Sequence, residues 1–242
     1  MPKILVIIPA YNEEDAILGT LADLERHFPE ADCLVINDCS RDNTRQVLLN
    51  NHVNFIDLPL NLGIGGGVQT GYKYALEHGY DIAIQFDGDG QHRADCIRPL
   101  IAPLLDGTAD MTVGSRFADG EKKGFQSSAL RRVGINILSA LIRLCTGKTV
   151  RDATSGFRAC NKSLIRLFAD TYAQDYPEPE AIVTALVSGF KVREVPVVMN
   201  ERQGGVSSIR ALKSVFYMIK VSLAVLLAGL RLSSRKELKR HA

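Results

Sequence analysis

The sequence predicts an α/β fold on a doubly wound, mainly parallel sheet, with an amphipathic helical extension at its C-terminus. Three observations predict it. Short β-branched runs alternate with helix-length amphipathic stretches through the first half of the chain. The length, 242 residues, suits one large α/β domain. Polar clusters recur where successive strands end, and open parallel sheets bind ligands there.

Taken in order, Lys3–Ile8 reads as a strand buried on both faces, because Ile4–Ile8 contains no polar residue. Glu13–Phe28 reads as a helix. Cys33–Asn37 is the second strand, and the helix after it takes Ser40 or Asp42 as its N-cap. Val53–Asp57 is the third strand, followed by a helix from Gly66 to His78. Asp81–Phe86 is the fourth, and Ala94–Leu105 a helix kinked or restarted around Pro99 and Pro103. Met111–Gly114 is the fifth strand. Ala118–Gln126, with two glycines and four charges, reads as a mobile loop. Beyond it come a helix over Ser128–Cys145, a polar crossing, helices over Ser163–Tyr172 and Glu180–Ser188, and a last strand, Val192–Val198. No repeat or linker divides the chain, so residues 1–208 form one domain and 209–242 a tail.

Composition excludes several classes. At 46% hydrophobic and 23% charged the chain is neither disordered nor low-complexity. Its net charge is only +2, so no nucleic-acid partner is expected. That charge is uneven: the tail from Ile209 carries +7, which leaves −5 for the body. A basic tail on an acidic body points to an anionic surface near the tail, such as a membrane. The five cysteines are scattered with no C-x-x-C pair, which argues for reduced thiols in a cytosolic protein rather than disulfides or a zinc site. No secretory signal is expected, since Ile4–Ile8 is short and Asn12-Glu13-Glu14 follows at once.

Five polar clusters fall at predicted strand ends: Pro9–Glu14, Asn37–Ser40, Asn61–Gly67, Asp87–His92 and Gly114–Arg116. Among them Asp87, Asp89 and Gln91 offer hard oxygen ligands to Mg²⁺ or Mn²⁺. Asp-Gly is also ordinary turn chemistry, but its position at the fourth strand's end, alongside Asp38, favours a site. The glycine cluster around Gly65 fails the dinucleotide fingerprint, because it follows the third strand and lacks the third glycine. Its glycines suit close approach of backbone amides to a ligand. Gly147-Lys148-Thr149 fails as a P-loop, since Ile142 stands where the first glycine belongs.

Pro9-Ala10-Tyr11-Asn12-Glu13-Glu14, the run Val35–Thr44, Asn61-Leu62-Gly63 and Asp87-x-Asp89-x-Gln91-His92 together resemble the family 2 glycosyltransferases. Asp152-x-Thr154-Ser155-Gly156-Phe157-Arg158 and Glu201-Arg202-x-x-Gly205-x-Ser207 resemble the branch containing dolichol-phosphate mannose synthase and bacterial polyprenyl-phosphate glycosyltransferases. The resemblance covers most of residues 3–208. It implies a GT-A type nucleotide-sugar-binding fold and inverting, metal-dependent transfer of a sugar to a polyprenyl phosphate.

By that resemblance Pro9, Tyr11, Glu13 and Asp38 would hold the nucleoside, with Asp38 accepting from the base. Asp87 would lie near ribose and metal, and Asp89 with Gln91 would ligate the ion. Arg116 and Arg131 would receive the acceptor phosphate, Arg202 and Ser207 would close over the diphosphate, and Asp152 would lie beside the reacting centre. The chain departs from the family pattern at Ile64, Ile135 and Ser208, where Lys, Ser and Lys are usual. A phosphate acceptor is already mostly ionised at neutral pH and needs positive charge more than a base. A saccharide hydroxyl would need a base, and Asp152 is the candidate. That second acceptor class, a sugar nucleotidyltransferase and a non-enzymatic scaffold are the alternatives. With no Trp, the chain cannot carry the Gln-x-x-Arg-Trp motif of processive synthases.

Leu212, Val215, Phe216, Ile219, Leu223, Leu226 and Leu230 share one side of a helix over Ile209–Arg231, with Arg210, Lys213, Lys220 and Arg231 opposite. That pattern predicts a helix lying on the cytoplasmic membrane face rather than crossing it. The alternatives are packing on the catalytic domain or on a small membrane partner.

Overall fold

Residues 2–117, 129–175, 177–200 and 220–227 are described by a computed structural model. Ile4–Ala10 forms β1, with all seven residues buried. It pairs in parallel with β2 (Asp32–Asn37) on one side and β4 (Ile82–Gln85) on the other. With β3 (Phe55–Asp57), β5 (Met111–Ser115), β6 (Arg158–Asn161) and β7 (Val192–Pro196) they make a seven-stranded sheet in the order β3-β2-β1-β4-β6-β5-β7.

The alternation of β1 assigns the two core layers. Leu5 and Ile7 face a cluster with Val68, Tyr72 and Ala75 of α3 (Gly63–Glu77) and with Leu164, Ile165 and Phe168 of α6 (Lys162–Thr171). Leu138 and Ile142 of α5 (Ala129–Thr146), with Ala181–Val183 of α7 (Pro177–Val187), complete that layer. Ile4, Val6 and Ile8 face the other cluster. There Ile17 and Leu24 of α1 (Ile17–His27), Leu48 of α2 (Thr44–Asn50) and Ile97 and Leu100 of α4 (Ile97–Leu105) pack. A parallel sheet needs cover on both faces, and the periodicity of the helices supplies it.

Element boundaries differ from expectation where caps decide them. The first helix starts at Ile17 rather than Glu13, after a lead-in turn in which Glu13 O accepts the amides of Ala16 and Ile17. The second starts at Thr44, whose amide donates to Asp42 Oδ1 at 2.9 Å. Ala94–Cys96 is a separate 3-10 turn before α4, and Pro103 sits inside α4. The third and seventh helices begin three residues earlier than expected, at Gly63 and Pro177.

One strand was not foreseen. β6 falls in what reads as a polar crossing, and it runs antiparallel to both β4 and β5. Arg-Ala-Cys-Asn has neither alternation nor β-branched residues. Its pairing is decided by tertiary context, with Arg158 opposite Gln85 and Cys160 opposite Met111. The antiparallel sense matters for function. It brings the residues that precede β6 to the sheet end where the parallel strands finish.

Of the tail, residues 220–227 are described, and they are helical. Val221 and Val225, one turn apart, are fully buried in the cluster of α5, α6 and α7. Leu223 and Leu227 are exposed, at 56% and 46%. Within this stretch the valine face packs on the body. Of the expected leucine side, Leu223 points away from it.

Candidate active site

The first two strand-end loops are laced together. Asn12 and Cys39 both adopt φ of +57°, and the Asn12 amide donates to Ser40 Oγ while its Oδ1 accepts from the Arg41 amide at 2.8 Å. Non-glycine residues enter the left-handed region at a cost that surrounding bonds must offset, and Asn tolerates it best. Glu14 Oε2 accepts from the amide and side chain of Asn43. The Glu13 amide donates to Thr44 Oγ1 at 2.9 Å. Pro9 and Glu13 are buried and Tyr11 is 41% exposed. A cavity of about 360 Å³ opens on these loops, lined by Asn12–Ala16 with Arg41 and Asp42. It includes Glu13 but none of Asp38, Asp87 or Asp89.

Asp38 is buried, and its Oδ1 accepts the Leu62 amide at 2.7 Å at the start of α3. Burial pushes its carboxyl up, opposed by the amides of Leu62 and Gly63. The carboxylate therefore ties the second strand end to the third loop, besides any nucleoside it receives. Gly65 has a packing reason of its own. A Cβ there would lie 2.2 Å from the carbonyl oxygen of Ala173 and 2.3 Å from that of Gln174.

The Asp87–His92 loop is folded over its own histidine. His92 is buried, stacked on Phe157 at 4.9 Å and edge-on to Phe86 at 5.3 Å. Its Nδ1 accepts the Asp87 amide at 3.0 Å, which puts the ring proton on Nε2, 3.6 Å from Asp87 Oδ2. Burial pushes this imidazole down to about 4, with Asp89 opposing. The ring, packed between Phe86 and Phe157, holds the loop in its fold. Asp89 Oδ1 accepts the Gln91 amide at 3.1 Å, and Gln91 O accepts the Asn200 amide at 2.9 Å. Gly156 abuts the other side of the loop: a Cβ there would lie 2.8 Å from Asp87 Oδ2.

At the end of β5, Asp152 Oδ2 accepts from the Arg116 amide at 3.1 Å and from Nε at 2.8 Å, and Oδ1 accepts from Nη2 at 2.7 Å. Asp152 has no exposed surface and the Arg116 side chain is 10% exposed. A bidentate pair this buried is directional, and breaking it typically costs about 3–5 kcal/mol. A second cavity, about 200 Å³, lies beside it between Phe117, Arg151 and the α5 residues Ile135, Asn136 and Ser139. Arg131 lies in α5 with its side chain outside the described residues, and Arg202 and Ser207 lie outside them entirely.

Two residues of this region escaped the sequence reading as functional candidates. Arg158 is fully buried beneath the site, its Nη1 donating to Glu178 O at 3.0 Å and its Nη2 to Ser155 O. The Ser-Gly-Phe-Arg run was the available signal, since an arginine there has no surface role to fill. Glu194, on the outer strand β7, accepts the amides of Arg151 and Asp152. Nothing local in Val-Arg-Glu-Val-Pro distinguishes it from a solvated charge.

Among the described residues no group of three or more His, Cys, Asp and Glu is gathered to hold a metal. Two carboxylates on one loop nonetheless fit Mg²⁺ or Mn²⁺, which commonly takes one or two protein carboxylates and completes its shell with substrate phosphate and water. Asp87, Asp89 and Gln91 are the residues that would hold it.

Comparison with known proteins agrees with this geometry. The family model described as Glycosyl transferase family 2 matches residues 5–168. The UDP-N-acetylglucosamine–dolichyl-phosphate N-acetylglucosaminyltransferase of Methanococcus voltae is 34% identical over 214 residues, covering 80% of this chain and 84% of that protein. The undecaprenyl-phosphate mannosyltransferase of Micrococcus luteus is 29% identical, covering 86% and 87%. Among solved structures, glucosyl-3-phosphoglycerate synthase from Mycobacterium tuberculosis, in complex with Mn²⁺, UDP-glucose and phosphoglyceric acid, superposes with a TM-score of 0.66 at 20% identity. That superposition covers 94% of this chain and 79% of the other, and it shows a shared fold.

Proposed function

The chain belongs to the family 2 glycosyltransferases, and on that premise we propose that it transfers a sugar from a nucleotide-sugar to a polyprenyl phosphate at a membrane surface. Family membership removes the nucleotidyltransferase and the scaffold as alternatives. The two relatives described above act, by their names, on dolichyl and undecaprenyl phosphates, which supports this acceptor class.

The observation that carries the reading is Asp152. It is fully buried and both its oxygens accept from Arg116, so it is poorly placed to take a proton from a saccharide hydroxyl. What it offers instead is an oriented guanidinium at the end of β5. A phosphate acceptor needs that cation and no base. Asp38, Glu13 and the first two loops would seat the nucleoside, and Arg202 with Ser207 would close over the diphosphate. Asp87, Asp89 and Gln91 would hold a divalent ion, which would supply charge neutralisation for the leaving diphosphate.

Membrane contact is the second part of the proposal. The segment from Ala129 to Arg151 carries five Lys and Arg and no acid. On its helix α5, Val133, Ile137 and Leu144 are 57%, 46% and 77% exposed, and with Ala140 they fall within one narrow arc. An apolar stripe on a segment whose only charges are cations fits the headgroup region of an anionic bilayer. The basic tail would add to it, on the cytoplasmic face. Among the described residues no helix is long and apolar enough to cross a membrane.

The test is transfer from UDP-glucose and UDP-N-acetylglucosamine to undecaprenyl phosphate with Mn²⁺. Asp89→Ala is expected to lower transfer by at least about 100-fold with its melting temperature unchanged, because a loop carboxylate contributes little packing. Excess chelator is expected to do the same. Full activity of either sample overturns the metal assignment, and transfer to free saccharide alone overturns the acceptor.

A further inference from the structure

The Arg116–Asp152 pair is itself held from outside. Asp152 opens a turn between α5 and β6, where its carbonyl accepts the Ser155 amide at 3.3 Å but no bond within the turn holds its own amide. Glu194 supplies the constraint. One of its carboxylate oxygens accepts the Asp152 amide at 2.8 Å and the other accepts the Arg151 amide at 2.9 Å. Two consecutive amides bound by one carboxylate fix the peptide plane between them, and with it the direction in which the Asp152 side chain leaves the backbone. That side chain in turn fixes the Arg116 amide, Nε and Nη2. No partner is found for Arg116 Nη1 among the described residues. The chain of contacts therefore runs from the outer strand of the sheet to the Arg116 guanidinium.

The placement of Glu194 has no other evident purpose. β7 is the last strand of the sheet, and charges on such edges ordinarily stand in water, as those of exposed Lys191 and Arg193 do. Glu194 is half-buried and opposite Val113, three residues before Arg116 on the neighbouring strand. An arginine left to itself samples many rotamers, and fixing it on binding costs up to about 2 kcal/mol. A guanidinium locked beforehand avoids that cost.

We propose that Glu194 is a positioning residue for the acceptor: through the Arg151–Asp152 backbone and the Asp152 carboxylate it orients Arg116 toward the acceptor phosphate. This rests on the reading of Arg116 as the acceptor's cation. Glu194→Gln keeps the size but replaces one of the two accepting oxygens with an NH₂, which opposes the N–H it faces.

The test is binding of two ligands to the full chain, farnesyl phosphate for the acceptor and UDP with Mn²⁺ for the donor. Glu194→Gln is expected to raise the Kd for farnesyl phosphate about tenfold and to leave the Kd for UDP within twofold. A purely structural role would move both. The double variant with Arg116→Lys is expected to bind farnesyl phosphate no more weakly than Arg116→Lys alone, because the two act on one contact. Unchanged farnesyl phosphate binding in Glu194→Gln, equal weakening of both ligands, or effects that multiply in the double variant each overturn the inference. If Arg116→Lys itself binds farnesyl phosphate like wild type, the acceptor reading of Arg116 falls and the role of Glu194 falls with it. Should Glu194→Gln not fold, Glu194→Asp, with both oxygens one methylene short, is expected to show the same selective loss.

Discussion

Gly156 shows how closely the candidate site is built around one carboxylate. A methyl group there meets the ends of two side chains, Asp87 at 2.8 Å and buried Gln85 at 3.2 Å, which can give more readily than backbone can. Gly156→Ala should therefore lower transfer at least about 30-fold while costing no more than about 1 kcal/mol of stability, as measured by steady-state kinetics beside urea unfolding. Gly65 is the opposite case, since its methyl group would meet two carbonyl oxygens of the chain itself. At this scale the sequence marked the candidate residues and was silent on what supports them. Asp87, Asp89, Arg116 and Asp152 announce themselves by residue type and by their place at strand ends. Arg158 and Glu194 act on main-chain groups brought close only by the fold, Glu178 O and the Arg151–Asp152 amides, and no local pattern encodes such contacts.

Among the elements, α5 carries the clearest contrast between its two faces. Ile135, Leu138 and Ile142 are buried, while Val133, Ile137 and Leu144 stand in solvent. If that outer stripe enters a bilayer, each large side chain contributes about 1.5–3 kcal/mol of transfer free energy, which is tenfold or more in partitioning. Ile137→Asp and Leu144→Asp should each lose most flotation with vesicles containing anionic lipid, yet still transfer sugar to a short, water-soluble polyprenyl phosphate. Flotation equal to wild type would show that the stripe has another occupant. The helical periodicity of α5 was readable in the sequence, but which arc of it meets the sheet was not. For the same reason the tail's leucine pattern drew notice while Val221 and Val225 did not: two valines one turn apart become an anchor only once a core is there to receive them.

For the whole molecule, that anchor changes where the chain can be cut. Ending it at residue 208 removes two fully buried valines, an expected loss of about 3 kcal/mol, or roughly 6–12 °C in melting temperature. Ending it after Leu227 should leave the melting temperature within about 2 °C of wild type, by calorimetry. Equal melting temperatures for the two truncations would mean that residues 220–227 contribute no packing. The doubly wound layout itself was legible from the alternation of strands and helices. Its one reversal, β6, was not, because four residues of weak strand character carry no period to read.

That reversal also orders events on the ribosome. The first four strands are neighbours in β3-β2-β1-β4, so they can assemble as soon as residue 85 has emerged, with only the outer side of β4 left for β6. β5 is different. It pairs with β6 and β7 and never with β4, so a fully buried strand, Met111–Ser115, waits through synthesis of the next 46 residues before Asn161 completes its first neighbour. At about 5–20 residues per second that is an interval of several seconds with an apolar edge unpaired. The half of the sheet that carries Arg116 is thus the half most exposed to aggregation during birth, with α4 already made to pack against β5 but both of its strand neighbours still to come.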